Sequence, residues 1–208
     1  MKQRIAPWLA AAAMGLVAFV PVARSASPVC ARLCANAWTL DAEASTDAEE
    51  ALEDALDEYK EEELRLRGPR GSDMASIEKA EMEESLGPLQ RRPRREELHA
   101  ELKQRLVIPA SLRISQDGQE FRIDEGRGGP RRFDLEEPYS RVDSFGTARI
   151  SARLSGNSFT VAEKYRRGRS NTEAYAVDAK SGMLVVTRTL TRQSMPHLVV
   201  RSVYRPAP

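Results

Sequence analysis

The spacing of hydrophobic and polar residues changes once along this chain, close to Pro109. Before that residue, apolar side chains recur every three or four positions, as in an amphipathic helix. After Ser111, apolar and polar residues alternate in short runs, as in strands with one buried face. The pattern therefore predicts N-terminal helices followed by a β-sheet.

Segment 26–67 is predicted to be an acidic helical arm. From Asp47 to Glu63 its apolar residues recur along one side of a helix, and the opposite side is nearly all Asp and Glu. The residues of the apolar side are Ala48, Leu52, Ala55, Leu56 and Tyr59. Because this stripe is thin and the segment is so acidic, we expect the arm to stay outside the interior of the sheet.

Residues 68–95 are predicted to be a linker with a basic cluster over 91–95, since Gly and Pro interrupt any regular pattern. A short helix is expected over 96–108, with three leucines on one face. They are Leu98, Leu102 and Leu106. This helix would cap an open end of the sheet or cover its concave face.

Residues 109–208 contain eight predicted strands joined mostly by tight turns, among them Asp117-Gly118 between two alternating runs. Short connections make neighbouring strands antiparallel. We therefore predict a mainly β fold with N-terminal helices: an eight-stranded antiparallel up-and-down meander, curled into a small barrel or half-barrel.

The end of this region resembles a known type of sheet. Residues 172–175, 178–190 and 203–205 together resemble the closing strands of secreted bacterial proteins with lipocalin-like or calycin-like sheets. The resemblance covers about the last 60 residues. It implies an antiparallel meander and brings no catalytic residues with it.

The first 25 residues have the layout of a secretory signal peptide. Lys2 and Arg4 precede an uncharged run over 5–23, and the small residues Ala23 and Ser25 suit cleavage. If it were not cleaved, the segment would be a membrane anchor of borderline length. We expect the remainder to be periplasmic or secreted.

Charge is segregated along the chain although the net charge is only +1. Segment 41–63 has twelve acidic residues and one lysine, whereas 109–208 has seventeen basic and eleven acidic residues. Such polarity indicates an interaction segment, or an arm that folds back on the basic part. With 30% charged and 6% aromatic residues, one large core over the whole length is not expected.

Cys30 and Cys34 are the two cysteines of the chain. In an oxidising compartment a local disulfide is expected first, since on a helix the two residues share one face. Pairing with another chain is the alternative. A metal site would need further ligands, and the histidines are His99 and His197.

Two groups of residues are candidate binding surfaces. Arginines clustered at a hairpin tip suit a carboxylate, a phosphate or an acidic peptide, including the acidic arm. They are Arg166, Arg167 and Arg169. Aromatic residues on the strands either line an apolar cavity or simply fill the core. They are Phe121, Phe133, Phe159, Tyr165, Tyr175 and Tyr204.

No catalytic arrangement is recognised in the sequence, which has neither a G-x-S-x-G pattern nor a phosphate-binding glycine loop. Glu163 and Glu173 are the best candidates for a carboxylate pair, but cross-strand pairing with arginines explains them more simply. We predict no catalytic residue, no cofactor and no metal.

Two functions from different classes follow. The first is an exported non-enzymatic protein that binds a protein or another envelope component through its β domain and charged arm. The alternative is binding of a small apolar ligand or lipid within the curved sheet, and hydrolysis is a third hypothesis. Nucleic acid is not expected as a partner, and a membrane only through an uncleaved signal segment. The sequence leaves the oligomeric state open.

Overall fold

The computed structural model describes residues 28–67, 95–155, 157–192 and 195–208. The predicted signal peptide and almost all of the predicted linker with its basic cluster lie outside the described residues.

Helices flank the first strand in the described part of the chain. They are α1 (Pro28–Leu33), α2 (Ala48–Arg67) and α3 (Arg95–Arg105). The carboxylate of Asp47 caps α2, because its Oδ1 accepts hydrogen bonds from the backbone N–H of Glu49 at 2.9 Å and of Glu50 at 3.2 Å. Spanning a membrane would take a longer and more apolar helix than any in the described residues.

Ten described strands form one antiparallel sheet, which confirms the predicted meander. They are β1 (Ala37–Asp41), β2 (Ser111–Asp117), β3 (Glu120–Asp124), β4 (Arg131–Asp134), β5 (Tyr139–Asp143), β6 (Gly146–Ser155), β7 (Ser158–Tyr165), β8 (Ser170–Val177), β9 (Leu184–Thr191) and β10 (Leu198–Pro206). Across the sheet they follow the order β4-β3-β2-β1-β10-β9-β8-β7-β6-β5.

Two of these strands were not predicted. β1 lies inside the segment expected to be a helical arm, and it pairs with both β2 and β10, so Leu40 lies opposite Tyr204. β5 is a short edge strand that pairs with β6, with Tyr139 opposite Ile150. The rest of the meander follows the expected hairpins.

The sheet curls into a half-barrel around α1. This helix contacts β2 and β8, which are separated by three other strands. The predicted disulfide between Cys30 and Cys34 is confirmed, and Cys30 is buried in the core. At the edges of the sheet, the Tyr139 hydroxyl of β5 donates a hydrogen bond to the carbonyl of Arg132 in β4 at 2.8 Å.

The expectation that the acidic arm stays outside the interior was wrong. Leu52 and Leu56 of α2 are buried against Leu98 and Leu102 of α3 and against Leu198 of β10. One apolar side is enough for α2 to pack against α3 and β10, because its carboxylates lie on the other side of the helix and stay hydrated.

Ion pairs on the exposed side also link the two helices. Arg95 pairs with Glu53 at 2.6 Å, and Lys103 pairs with Glu49 at 2.8 Å. α3 begins and ends close to the predicted 96–108, and all three of its predicted leucines are buried. The helix pair covers the end of the interior formed by Leu190 of β9 and Leu198 of β10.

Candidate functional site

The interior of the curved sheet has an apolar half in which aromatic rings contact one another. The rings of Phe121 and Phe159 stack with centroids 4.4 Å apart, and those of Phe133 and Tyr175 lie 6.0 and 5.9 Å from Phe159. These four residues are at most 1% exposed. We refer to this cluster of four rings as the apolar half.

The six aromatic residues proposed as a lining are all buried. Four of them form the apolar half. The Tyr204 hydroxyl donates a hydrogen bond to the carbonyl of Pro109 at 3.1 Å. Tyr165 lies further along the interior, where the lining changes from apolar to charged.

The charged half begins where β7, β8 and β9 direct ionisable side chains into the interior. Strand alternation continues the inward face from Phe159 and Val161 to Glu163 on β7, and from Val186 to Arg188 on β9. The strand register places Glu163 opposite Asn171, and Glu173 opposite Arg188. All four of these polar residues are buried.

Glu173 holds one ion-pair network together. Its carboxylate pairs with Arg131 at 2.8 Å and with Arg188 at 3.3 Å, and it accepts a hydrogen bond from the Tyr175 hydroxyl at 2.5 Å. Burial alone would raise the pKa of Glu173, but the two guanidinium groups outweigh it and lower the pKa to about 2. Glu173 is therefore ionised at neutral pH.

Glu163 holds a second network. Its Oε1 accepts a hydrogen bond from Arg141 at 2.8 Å, and its Oε2 lies 3.4 Å from the amide nitrogen of Asn171. The Tyr165 hydroxyl donates to Asp143 at 2.7 Å and is 3.3 Å from Glu163. Burial raises the pKa of Tyr165, so this hydroxyl keeps its proton and acts as a donor.

Arg105, the last residue of α3, reaches the interior from the other side. Its guanidinium lies 4.0 Å from the ring centroid of Phe145 and 4.4 Å from that of Tyr165, and the side chain is 7% exposed. Its Nε and Nη2 have no hydrogen-bond partner among the described residues. Its ion pair is a long one, 3.8 Å to Glu101.

Glu101 is shared among three arginines. Besides Arg105, it pairs with Arg192 at 2.5 Å and with Arg169 at 3.4 Å. Arg105 is therefore a buried cation with only part of one counter-charge in the described structure.

Together these side chains line a cavity of about 220 Å³ between α3 and the sheet. Its ionisable lining residues are four arginines and four carboxylates: Arg105, Arg131, Arg141, Arg188, Glu125, Asp143, Glu163 and Glu173. Asn171, Tyr165, Phe145 and Val107 also contribute to the lining. We call this space the charged cavity.

The predicted arginine patch is divided in the structure. Arg166 and Arg167 are exposed at the β7–β8 turn. Arg169 instead fixes α3, because it pairs with Glu101 and donates a hydrogen bond to the carbonyl of Phe145 at 2.9 Å. A partner for the exposed pair stays a prediction.

Three residues of the charged cavity were singled out from the sequence, Glu163, Tyr165 and Glu173, whereas its arginines were missed. Glu163 and Glu173 were singled out, and their expected pairing with arginines is confirmed. Arg188 carried a signal that was not used: alternation places it on the same face as Val186 and Leu190. A charged residue at such a position indicates a buried ion pair or a binding site.

Comparison with known proteins gives structural likenesses only. No family model and no curated protein matches the chain. A fatty acid-binding protein from brain tissue of Drosophila melanogaster aligns at 12% identity and a TM-score of 0.45, covering 83% of this chain and 98% of its own. The REP1-NXSQ fatty acid transporter aligns at 10% identity and 0.44, covering 83% and 95%.

Lipid binding protein 8 of Caenorhabditis elegans aligns at 13% identity with a TM-score of 0.44, covering 83% of this chain and 94% of its own. Because all three scores are below 0.5, the architecture described above rests on the strand pairing of this chain itself.

Proposed function

We propose that this protein binds a small molecule in the charged cavity, and that Arg105 receives an anionic group of that molecule. The observation that carries the proposal is the buried guanidinium of Arg105, which lies against two aromatic rings and whose Nε and Nη2 have no hydrogen-bond partner among the described residues. A buried charge with only part of one counter-charge destabilises the free protein. An anion bound beside Arg105 removes that penalty, so the site favours the bound state.

The charged cavity favours a polar ligand over the small apolar ligand or lipid that was the alternative hypothesis from the sequence. In the apolar half the four rings are at most 1% exposed, and those of Phe121 and Phe159 stack with centroids 4.4 Å apart. The charged cavity has a volume of about 220 Å³. A carboxylate on a short carbon chain suits this volume, with the chain beside Phe145 and Val107.

The first hypothesis, an arm that binds an external partner, is less well supported. The apolar side of α2 is already buried against α3 and β10. An external partner would therefore meet the acidic side of the helix alone. A location outside the cytoplasm remains our proposal from residues 1–25.

The proposal is binding without chemical conversion. Hydrolysis of a glycosidic bond by two carboxyl groups needs one of them protonated near neutral pH. Glu173, with a pKa of about 2, is ionised there, because Arg131 and Arg188 hold its charge. Glu173 is thus suited to fixing the arginines rather than to donating a proton.

Isothermal titration calorimetry of the purified protein with pentanoate tests the proposal. Arg105→Gln removes the cation, and Arg149→Gln removes an exposed arginine of β6 as the matched control. A charge-assisted hydrogen bond contributes about 1.5–3 kcal/mol, so we expect Arg105→Gln to weaken binding about tenfold or more and Arg149→Gln to leave it unchanged.

Equal affinities for the two variants would contradict the proposal. So would a long-chain fatty acid that binds more tightly than pentanoate and does not depend on Arg105, because that result would favour an apolar site.

A further inference from the structure

The charges that line the cavity are balanced on one side. There Arg131 and Arg188 face Glu125 and Glu173, two cations against two anions. Arg131 lies 2.8 Å from each of these carboxylates, and Arg188 lies 3.3 Å from Glu173 and 3.8 Å from Glu125. This side needs no further charge from a ligand.

The other side has a surplus of negative charge. Arg141 is the arginine that pairs there, at 2.8 Å from Glu163 and 3.7 Å from Asp143. One cation therefore faces two carboxylates among the described residues.

The same side also has an unused hydrogen-bond acceptor. Asn171 is 7% exposed, and its Oδ1 is buried without a donor among the described residues. Its Nδ2 lies 3.4 Å from Glu163, and this orientation is the favourable one, because the flipped amide would place two oxygens together. The group of Asp143, Glu163 and Asn171 thus lacks one positive charge and a donor to the Asn171 Oδ1, although Asp143 already accepts hydrogen bonds from the Phe145 backbone N–H and the Tyr165 hydroxyl.

We propose that the ligand is a small zwitterion of the amino-acid class, with its carboxylate at Arg105 and its ammonium group at Asp143, Glu163 and Asn171. This inference rests on the proposed function, which assigns the carboxylate of the ligand, and adds an ammonium group to it. An ammonium group has one positive charge and three N–H donors. The ammonium group supplies the positive charge and the N–H donor that this side lacks. The carboxylate supplies the negative charge and the hydrogen-bond acceptors that Arg105 lacks.

Tyr165 sets the distance between the two subsites. Its ring lies 4.4 Å from the guanidinium carbon of Arg105, and its hydroxyl donates to Asp143 at 2.7 Å. The guanidinium therefore lies over the face of the tyrosine ring and Asp143 lies at its hydroxyl, so the two subsites adjoin one side chain and a short amino acid can reach both. A zwitterion also keeps the balance of four arginines and four carboxylates around the cavity.

Four five-carbon probes test the inference on the purified protein by calorimetry. Norvaline and 5-aminopentanoate carry both charges at two different separations, pentanoate carries the carboxylate alone, and pentylamine carries the ammonium group alone. We expect at least one of the two amino acids to bind about tenfold or more tightly than both singly charged probes.

Two variants locate the ammonium subsite. Glu163→Gln removes the negative charge, and Asn171→Leu removes the acceptor while keeping a similar size. Each is expected to reduce the amino-acid preference to threefold or less while pentanoate still binds. Glu137→Gln, at an exposed position outside the cavity, is the matched control and keeps the full preference.

The outcomes separate the two proposals. If pentanoate binds as tightly as both amino acids and depends on Arg105, the zwitterion is wrong and the anion site stands. If no probe binds at 10 mM, the proposed function fails and the inference fails with it. The comparison among probes uses the unaltered protein, so it holds even if a variant does not fold.

Discussion

The apolar half and the charged half of the interior lie on the same strands but are held together in different ways. In the apolar half, the ring of Phe159 contacts three other rings, and all four residues are at most 1% exposed. In the charged half, carboxylates and arginines pair across a cavity of about 220 Å³. On β7 the change occurs between Val161 and Glu163. Burial on a strand therefore does not reveal whether the buried face is filled.

The largest loss in the free energy of unfolding is expected for a substitution in the apolar half. Phe159→Ala removes the ring that contacts three others, and truncating a buried Phe costs about 4 kcal/mol, because the cavity left behind closes only in part. Chemical denaturation measures the free energy of unfolding. Val199→Ala, at an exposed position of β10, is the control and should change it by less than about 0.5 kcal/mol.

The charged half is expected to be sensitive in a different way. Glu173→Gln keeps the shape but removes one of the two carboxylates shared by Arg131 and Arg188, which leaves them with Glu125. We expect a loss of about 3 kcal/mol at pH 7, because an unpaired buried charge is costly. An unchanged free energy of unfolding would mean that the cavity admits enough water to screen these arginines.

The ion-pair network of Glu173 makes stability depend on pH, whereas the rings of the apolar half do not titrate over the same range. The pKa of Glu173 is about 2 in the folded protein, against an ordinary value of 4.5 for a glutamate side chain. Since the folded pKa is the lower one, its contribution is present above pH 4.5 and is lost as the pH falls towards 2. The unaltered protein should lose about 3 kcal/mol more than Glu173→Gln over that range.

A smaller loss in the free energy of unfolding is expected for a substitution in α3, the helix that covers the charged half. Glu101 of α3 pairs with Arg169 and Arg192 beside the cavity. Glu101→Gln should lower the free energy of unfolding by about 1–2 kcal/mol, since one hydrogen bond of each pair can survive in neutral form. Thermal unfolding measures it, and an effect as large as that of Phe159→Ala would mean that α3 contributes as much to stability as the apolar half.

The sequence predicted the meander because the hairpins are local. Asp117-Gly118 and the alternation of β6 to β10 require only neighbouring residues. β1 was missed because Ala37–Asp41 is short and pairs with β10, far away in the chain. The docking of α2 was missed because net charge was given more weight than the position of its apolar side.

The charged cavity could be predicted only in part. Glu163 and Glu173 stand out because they interrupt the inward apolar face of their strands. Arg105 gives no such signal, because it ends a short polar helix and meets Phe145 and Tyr165 only after α3 has packed on the sheet. Its missing acceptors follow from that packing and not from any motif.

The most direct measurement is the stability of Arg105→Met in the absence of ligand, together with its affinity for pentanoate. Methionine keeps contact with the two rings and removes the buried charge. If Arg105 serves a ligand, the free energy of unfolding stays within about 1 kcal/mol of the unaltered protein or rises, while binding weakens about tenfold or more. A variant that loses several kcal/mol of stability and binds pentanoate as before would make Arg105 a structural residue and contradict the account.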